Sequence, residues 1–357
     1  MKLALYVLGS FLILVTLLPF VRTGAWWVRV WDFPRAQIAV ALAVVMASFV
    51  FVLDGSSPFD WTFLMIMATA LAYQLFRVRP YTRLARPQTM RVRNPDGSRC
   101  LRILIANVLM TNRGADRLLA IVRAAEPDVV LTVETDGWWA DRLAALDADY
   151  RHAVKHPRDN TYGMLLFSRL PLRGVELSFL VQNDIPSIHA EIGLPSGDWI
   201  AFHGLHPEPP QPGNDTEERD AELLIVGKAV ADDDRPTVVA GDLNDVAWSD
   251  TTRLFQRISG MLDPRIGRGL YPTFNANWPL LRWPLDHVFL SRHFELSMLR
   301  KLDHFGSDHF PVLVELCYKP DARVGQVPPR PDREERERAR EAIAEGVESG
   351  RTSTARG

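Results

Sequence analysis

Six short stretches of the chain set carboxylates, amides or imidazoles directly behind an apolar run, where a sheet hands its side chains to a cleft. They supply Asn107, Glu134, His206, Asp242 with Asn244, Asp286, and Asp308 with His309. Each has an ordinary explanation when taken alone: a turn cap at Asn107, a solvated acid at Glu134, a plain turn at Gly241-Asp242-Leu243-Asn244. Together they make four carboxylates, two amides and two histidines, with no cysteine among them. Hard oxygen donors of this kind suit Mg²⁺ or Mn²⁺, whereas zinc would need more His or Cys at close spacing. One chemistry that such a set could serve is attack of water on a phosphoester. The ester's negative charge repels hydroxide, so a cleft needs a divalent cation, donors aimed at the non-bridging oxygens and a base for water. A carboxylate beside a metal stays ionised at neutral pH, and an imidazole paired with a carboxylate holds its proton more firmly.

The series Ile105-Ala106-Asn107, Thr132-Val133-Glu134, Gly204-Leu205-His206-Pro207, Gly241-Asp242-Leu243-Asn244, Leu285-Asp286-His287 and Gly306-Ser307-Asp308-His309-Phe310-Pro311-Val312 resembles the endonuclease/exonuclease/phosphatase superfamily. That family includes pancreatic deoxyribonuclease, apurinic endonucleases, sphingomyelinases and inositol-phosphate phosphatases. The most specific pieces are Gly-Asp-Leu-Asn and Ser-Asp-His-Phe-Pro-Val. The apolar segment ahead of them is similar to that of the membrane-bound, teicoplanin-resistance type of member, which points to polyprenyl-type phosphates. The resemblance implies an α/β fold, a four-layer sandwich of two central sheets flanked by helices, with the site at one end of the sheets. It implies a metal held by Glu134 with Asn107 beside it and Asp308 completing or assisting the site. Asp242 would orient or deprotonate the attacking water, Asn244 would position a phosphate oxygen, and Asp286 would orient His309. His309 would stabilise charge developing on phosphorus, and His206 would bring a second cation or proton near the leaving oxygen.

Neighbouring histidines and aromatics are separable by position. His203 and His206 lie three apart, so they face opposite sides of a regular strand. His206 stands at the strand end ahead of Pro207 and takes the cleft, leaving His203 packed within the strand. His287 and His304 read as structural or supporting. Tyr162-Gly163, and Thr273-Phe274-Asn275 with Trp278, are candidates to line the cleft or equally to be surface and core aromatics.

The elements that must carry these residues follow from periodicity. Apolar runs at Leu101–Val108, Asp128–Val133, Met164–Phe167, Ile188–Ile192, Trp199–Leu205, Thr237–Ala240, His287–Leu290 and Val312–Leu316 read as strands. Ala115–Ala125 and Glu217–Ala231 carry helical spacing. Many short strands with a few helices predict two packed sheets covered by helices, and residues 98–318 suffice for one such catalytic domain.

Residues 1–80 read as about three transmembrane helices. The runs Leu3–Val21, Ile38–Leu53 and Trp61–Phe76 contain no Asp, Glu, Lys or Arg, and each nears the length that crosses a ~30 Å hydrocarbon core. Trp26, Trp27, Trp31 and Trp61 fall where amphipathic rings favour the headgroup layer. Residues 81–97 form a basic linker, and residues 319–357 a charged tail, expected to be disordered or a solvated helix. Arg22, Arg29, Arg35, Arg77, Arg79, Arg83, Arg86, Arg91 and Arg93 fall on one face of the membrane, against Lys2, Asp54 and Asp60 on the other. By the positive-inside rule this multi-pass plasma (inner) membrane protein holds its large domain in the cytoplasm, and changing the number of spans by one reverses the side.

Charge and cysteines narrow the function. The chain has 41 Lys+Arg and 43 Asp+Glu, but residues 98–318 hold 22 and 31 of them, a net −9. Nucleic-acid affinity rests on neutralised phosphates, so this domain is a poor nuclease unless Arg265, Arg268, Arg282 and Arg292 gather into a patch. The two cysteines, Cys100 and Cys317, allow at most one disulfide within the chain and no thiolate metal site. The expected function is a membrane-anchored, Mg²⁺- or Mn²⁺-dependent phosphoesterase acting on lipid-linked or small-molecule phosphates. A membrane-tethered nuclease and a catalytically silent anchored scaffold are the alternatives.

Overall fold

The computed structural model describes residues 1–53 and 57–354; Asp54, counted above, lies outside them. Near the N-terminus come helices α1 (Lys2–Leu17), α2 (Trp26–Arg29), α3 (Arg35–Val52) and α4 (Pro58–Val78). Three stretches, Lys2–Phe20, Arg35–Val52 and Pro58–Tyr81, are long and apolar enough to cross a membrane. One face of each packs inward through Leu12, Val15, Leu42, Val45, Phe49 and Met67. The opposite faces leave Val7, Phe11, Val40, Val44, Met65 and Ile66 exposed, which in a water-facing bundle would be unfavourable.

Two mixed sheets follow. The first contains β1 (Cys100–Asn107), β2 (Val129–Val133), β3 (His152–His156), β4 (Met164–Ser168), β10 (Phe294–Lys301) and β11 (Val312–Tyr318), in the order β10-β11-β1-β2-β4-β3. The second runs β5 (Leu172–Ser178), β6 (Ser187–Gly193), β7 (Trp199–Leu205), β8 (Thr237–Asp242) and β9 (Asp286–Leu290) in chain order. Alternation along the strands explains the layers. Ile103 and Ile105 of β1 point between the sheets with Leu131, Phe202, Val238 and Val288, while Leu104 and Ala106 point outward. The outward set is covered by α5 (Ala115–Ala125) and α6 (Gly137–Leu143), whose Leu118, Val122, Trp139 and Leu143 complete that layer. On the far side α7 (Glu217–Ala231) and α8 (Asp250–Ser259) cover Val239 and Phe289 with Leu223, Val226 and Phe255. The expected four-layer α/β sandwich is thus present.

Register places the polar residues. β1 and β2 are parallel, as are β7 and β8, so Asn107, Glu134, His206 and Asp242 emerge at matching ends. β9 is antiparallel to β8 with Asp242 paired to Asp286, and β11 is antiparallel to β1 with Ile105 paired to Val312, which brings Asp308 and His309 to the same end. At the other end of β1, Cys100 faces Cys317 of β11 and the two form a disulfide.

Three segments differ from their sequence expectation. The basic linker is pinned to the sheet edge: Val92 N donates to Leu296 O at 3.0 Å, and Leu296 N to Met90 O at 2.8 Å, which covers strand edge otherwise open to pairing. The tail read as disordered or a solvated helix begins with a short turn, α9 (Ala322–Gly325), and continues as α10 (Arg333–Thr354). Ala339, Ala342 and Ile343 of α10 pack on Leu224 and Leu254, an apolar stripe too narrow to stand out among the Arg and Glu residues. The third difference lies where the bundle meets the sandwich. Arg77 donates to Trp248 O at 2.6 Å and pairs with Asp250 at 2.8 Å, Trp248 Nε1 donates to Asp32 O at 2.7 Å, and the Tyr81 hydroxyl donates to Ala247 O. The segment that follows Asn244 is therefore clamped to the end of the helical bundle.

Candidate active site

The site starts from backbone geometry that few residues tolerate. Gly241 has φ +149°, and a Cβ there would stand 1.9 Å from the Leu205 carbonyl oxygen. Only glycine lets β8 approach β7 this closely, which sets His206 beside Asp242. Glu134 and Asn244 adopt left-handed φ of +60° and +51°, a conformation uncommon outside glycine and frequent where a side chain must be aimed.

At the centre is a buried carboxylate–imidazole–carboxylate line. His309 Nδ1 lies 2.8 Å from Asp286 Oδ2, and its Nε2 lies 3.5 Å from Asp242 Oδ2. Burial works against a charge on His309, but the Asp286 and Asp242 carboxylates outweigh it and push the pKa up to about 10, so the ring is an imidazolium at neutral pH. Asp242 is fully buried, and burial raises its pKa against the opposing pull of His309 and His206. Its Oδ1 accepts from Asn244 N at 3.0 Å and its Oδ2 from Asn107 Nδ2 at 2.9 Å. Ser307 closes the frame: its hydroxyl donates to Asn107 O at 2.8 Å and accepts from His309 N at 3.0 Å. Thr273 Oγ1 receives Asp286 N at 3.2 Å.

Glu134 stands across the cleft, held by Asn107 Nδ2 at 2.7 Å. Burial raises its carboxyl to about 7, with Asp242 and Asp308 adding to the rise and the Asn107 bond and His309 opposing it. Oxygen or nitrogen atoms of Glu134, His206 and Asp242 lie within 4.8 Å of one another. His206 is buried with both ring nitrogens lacking a partner, and Asp286 Oδ1 is similarly unpartnered. Buried polar atoms without partners carry a penalty that a bound cation would remove. Glu134 and neutral His206, with Asp242 at their border, therefore fit a divalent metal.

The structure brings the predicted residues to one cleft but redistributes some roles. His206, expected to bring a second cation or proton near the leaving oxygen, lies in the cleft, and burial drives its pKa down to about 4, so the ring is neutral at pH 7. Asn107 stands beside Glu134 as expected, offering its Nδ2 to the two acids while its Oδ1 accepts from Leu109 N at 2.9 Å, so the amide positions both carboxylates. Asp308, expected to complete the metal site, is half-exposed and stands outside both close groups of acids and imidazoles, acting on Glu134 and His309 through its charge. Asn244 donates its Nδ2 to Pro207 O at 2.9 Å. His203 lies away from the cleft, 2.6 Å from His189 between their Nδ1 atoms. His287 is buried behind the site, bonded to Arg265 and to Asp245 O, and His304 bonds Ser307 O. Tyr162 reaches within 5.9 Å of the His206 ring and Phe274 within 4.9 Å of His309, whereas Trp278 is exposed.

Two buttressing pairs went unseen in the sequence. Arg265, fixed by Asp263 at 2.7 Å, donates to Asp286 O and His287, and Arg219, fixed by Asp220, donates to Asn244 O at 2.9 Å. Asp263-Pro-Arg265 is too short a signal to distinguish from a surface turn.

The match to a known family decides the identity. The model of the Endonuclease/Exonuclease/phosphatase family matches residues 104–309, which run from β1 to His309. The chain belongs to this family. Members are generally divalent-metal-dependent hydrolases of phosphoesters. Solved structures similar in fold include an endonuclease/exonuclease/phosphatase from Bacteroides vulgatus (18% identity, TM-score 0.53, covering 62% of this chain and 99% of that one). Another is the family protein from Beutenbergia cavernae DSM 12333 (22%, 0.51, 62% and 72%). A third is the human Nocturnin catalytic domain with bound sulfate (16%, 0.51, 66% and 100%). No curated protein matches the chain. At these identities the likeness shows the fold, and the family membership rests on the matched residues.

Proposed function

We propose that this family member is a membrane-anchored, Mg²⁺- or Mn²⁺-dependent phosphoesterase that hydrolyses lipid-linked or small phosphorylated molecules. The observation that carries the reading is the imidazolium His309 between Asp286 and Asp242, with Glu134 and an unpartnered His206 across the same cleft. Glu134 and His206, with Asp242 bordering them and Asp308 assisting through its charge, would hold the metal. The cation supplies charge neutralisation to the phosphoryl oxygens. Asp242, made more basic by burial, takes a proton from the attacking water as its oxygen bonds to phosphorus and the ester P–O bond breaks. His309 donates a hydrogen bond from its Nε2–H to the oxygen on which charge develops, and Asp286 accepts from Nδ1–H and so fixes the ring's orientation. The leaving oxygen takes a proton from solvent water and departs as the alcohol while phosphate forms.

The arginines that a nuclease would use do not gather. Arg265 is buried against Asp263 and Asp286 O behind the site, Arg268 bonds Thr89, and Arg292 pairs with Asp234 at the opposite end of the sheets; of the four, only Arg282 is left on the open side of the site. A silent scaffold would have no physical reason to bury three charged partners without replacing one by apolar packing.

The three apolar helices support a multi-pass anchor. The side of the membrane is better read from the disulfide than from the Arg count. Arg29, Arg35 and Arg77 are engaged in ion pairs with Asp32 and Asp250 and are not free headgroup charges. Disulfides persist on the oxidising side, so the Cys100–Cys317 bond supports an extracytoplasmic domain. The test is the full chain in nanodiscs, assayed on a phosphomonoester, a lipid phosphate and plasmid DNA. Release of phosphate from an ester with Mg²⁺ and no cleavage of DNA supports the reading; DNA cleavage alone establishes the nuclease, and a folded, inactive chain the scaffold.

A further inference from the structure

The chain between Phe274 and Trp283, Asn-Ala-Asn-Trp-Pro-Leu-Leu-Arg, exposes apolar side chains beside the catalytic histidine. Trp278, Leu280 and Leu281 are 65%, 84% and 47% exposed. Large apolar groups clustered at the tip of a well-bonded loop are unfavourable in water and mark a surface that is covered by something else. The loop's shape is fixed from within: Asn275 N donates to Leu281 O at 3.1 Å, Leu281 N to Trp278 O at 3.0 Å, and Arg282 to Asn275 O and to Ala276 O. Its exposure is thus a property of a held conformation.

What covers it is indicated by what lies next to it. Gln37, in the first turn of α3, donates its Nε2 to Leu280 O at 3.0 Å. Phe33, just before that helix, meets Trp283 with ring centroids 5.8 Å apart. The loop tip therefore sits level with the end of the apolar bundle, where a bilayer spanned by α1, α3 and α4 would have its headgroup layer. Trp is the side chain that favours this depth, and the two leucines beside it would reach the acyl boundary. Arg282 and Lys301 flank the loop's base, stacked at 5.0 and 4.1 Å from the Phe310 ring, and offer cations to anionic headgroups.

From the same loop the path to the chemistry is short. Trp283 stacks on Phe274 at 6.0 Å, Phe274 lies 4.9 Å from His309, and Ala276 N donates to Asp308 O at 2.6 Å. We propose that the Phe274–Trp283 loop is a bilayer-docking element, inserting Trp278, Leu280 and Leu281 into the headgroup layer and holding the mouth of the cleft against the lipid surface, so that the favoured substrate is a phosphate ester carried by the membrane. This rests on the anchored phosphoesterase reading above and selects among its substrates.

The experiment uses the full chain in nanodiscs of phosphatidylcholine with phosphatidic acid as the lipid-borne phosphomonoester. A Leu280→Cys variant labelled with an environment-sensitive fluorophore should show blue-shifted emission quenched by lipids spin-labelled near the headgroup. Emission as in water, with no quenching, overturns the docking element. In parallel, a Trp278→Ser/Leu280→Ser/Leu281→Ser variant should lose about tenfold or more in turnover of the lipid ester through mispositioning. Its turnover of water-soluble p-nitrophenyl phosphate should match wild type. Equal losses on both substrates overturn the proposal, because the loop then acts on site geometry; no loss on the lipid ester also overturns it. If the wild type hydrolyses neither ester while the fluorophore is quenched, the phosphoesterase reading and the substrate assignment fall and the docking element stands.

Discussion

The Cys100–Cys317 disulfide joins the first strand of the sandwich to its last, and removing it gives a sharp test of how the domain is held. The two residues are 217 positions apart. In the chain-entropy account a closed loop of that size lowers the unfolded state's entropy by about 18 cal/mol/K, which is about 5 kcal/mol at room temperature. For a domain near 220 residues each kcal/mol moves the midpoint by about 2–4 °C, so the expected fall is about 10–20 °C. The native state should lose little, since β1 and β11 stay paired through Leu101–Leu316, Ile103–Val314 and Ile105–Val312. The assay is thermal unfolding of the full chain in detergent, followed by near-ultraviolet circular dichroism, for wild type with and without reductant and for Cys100→Ser/Cys317→Ser. The reduced wild type and the double variant should fall together. A change under about 3 °C in both would refute the reasoning, as would alkylation of both thiols in unreduced, unfolded protein, given that neither cysteine is free here.

Two further outcomes follow from the buried charges. Asp286→Asn removes the partner that, with Asp242, holds His309 as an imidazolium; kcat/KM should drop about 10²–10³ at neutral pH and partly recover as pH is lowered, because burial now favours the neutral ring. A rate within threefold of wild type with an unchanged pH profile would count against His309 as the charged donor. Glu222 on α7 is buried with Oε1 unpartnered, and burial alone pushes its pKa up to about 8. Its folded pKa exceeds the unfolded value, so stability is full below the unfolded pKa and declines as pH rises through about 8. Glu222→Gln should flatten that decline in thermal midpoints measured from about pH 6 to pH 9, by up to several kcal/mol at the alkaline end.

The parts of the fold that were legible in the sequence are those where one physical rule dominates. Ala115–Ala125, Trp199–Leu205 and Glu217–Ala231 coincide with their elements to the residue, the first through its helical apolar spacing, the second through its apolar strand run and the third through its acidic first turn and lack of Pro. The edge strands β3, β5 and β10 were missed, since no residue of His152–His156 or Leu172–Ser178 is fully buried and neither carries a continuous apolar run. Helix α8 was missed although Ser249 caps it and Gly260 ends it; its first turn reads Asp-Thr-Thr, which propensity alone assigns to a turn. The site was legible as a set of strand-end residues, and its internal roles were not. Whether His206 is cation or neutral donor depends on burial, and whether Asn107 offers nitrogen or oxygen depends on which backbone amide reaches it, here that of Leu109. Neither quantity is written in local sequence.

The central claim is that Glu134 and His309 serve one metal-dependent cleft. The most direct measurement pairs Mn²⁺ binding, followed by electron paramagnetic resonance, with hydrolysis of a soluble phosphomonoester by full-length wild type, Glu134→Gln and His309→Gln. The account predicts that wild type binds Mn²⁺ and loses activity to chelator. Glu134→Gln should lose both binding and activity, and His309→Gln should keep Mn²⁺ while its rate falls about 10²–10³. Full activity in the presence of chelator, or a Glu134→Gln variant that binds Mn²⁺ and turns over like wild type, would contradict it.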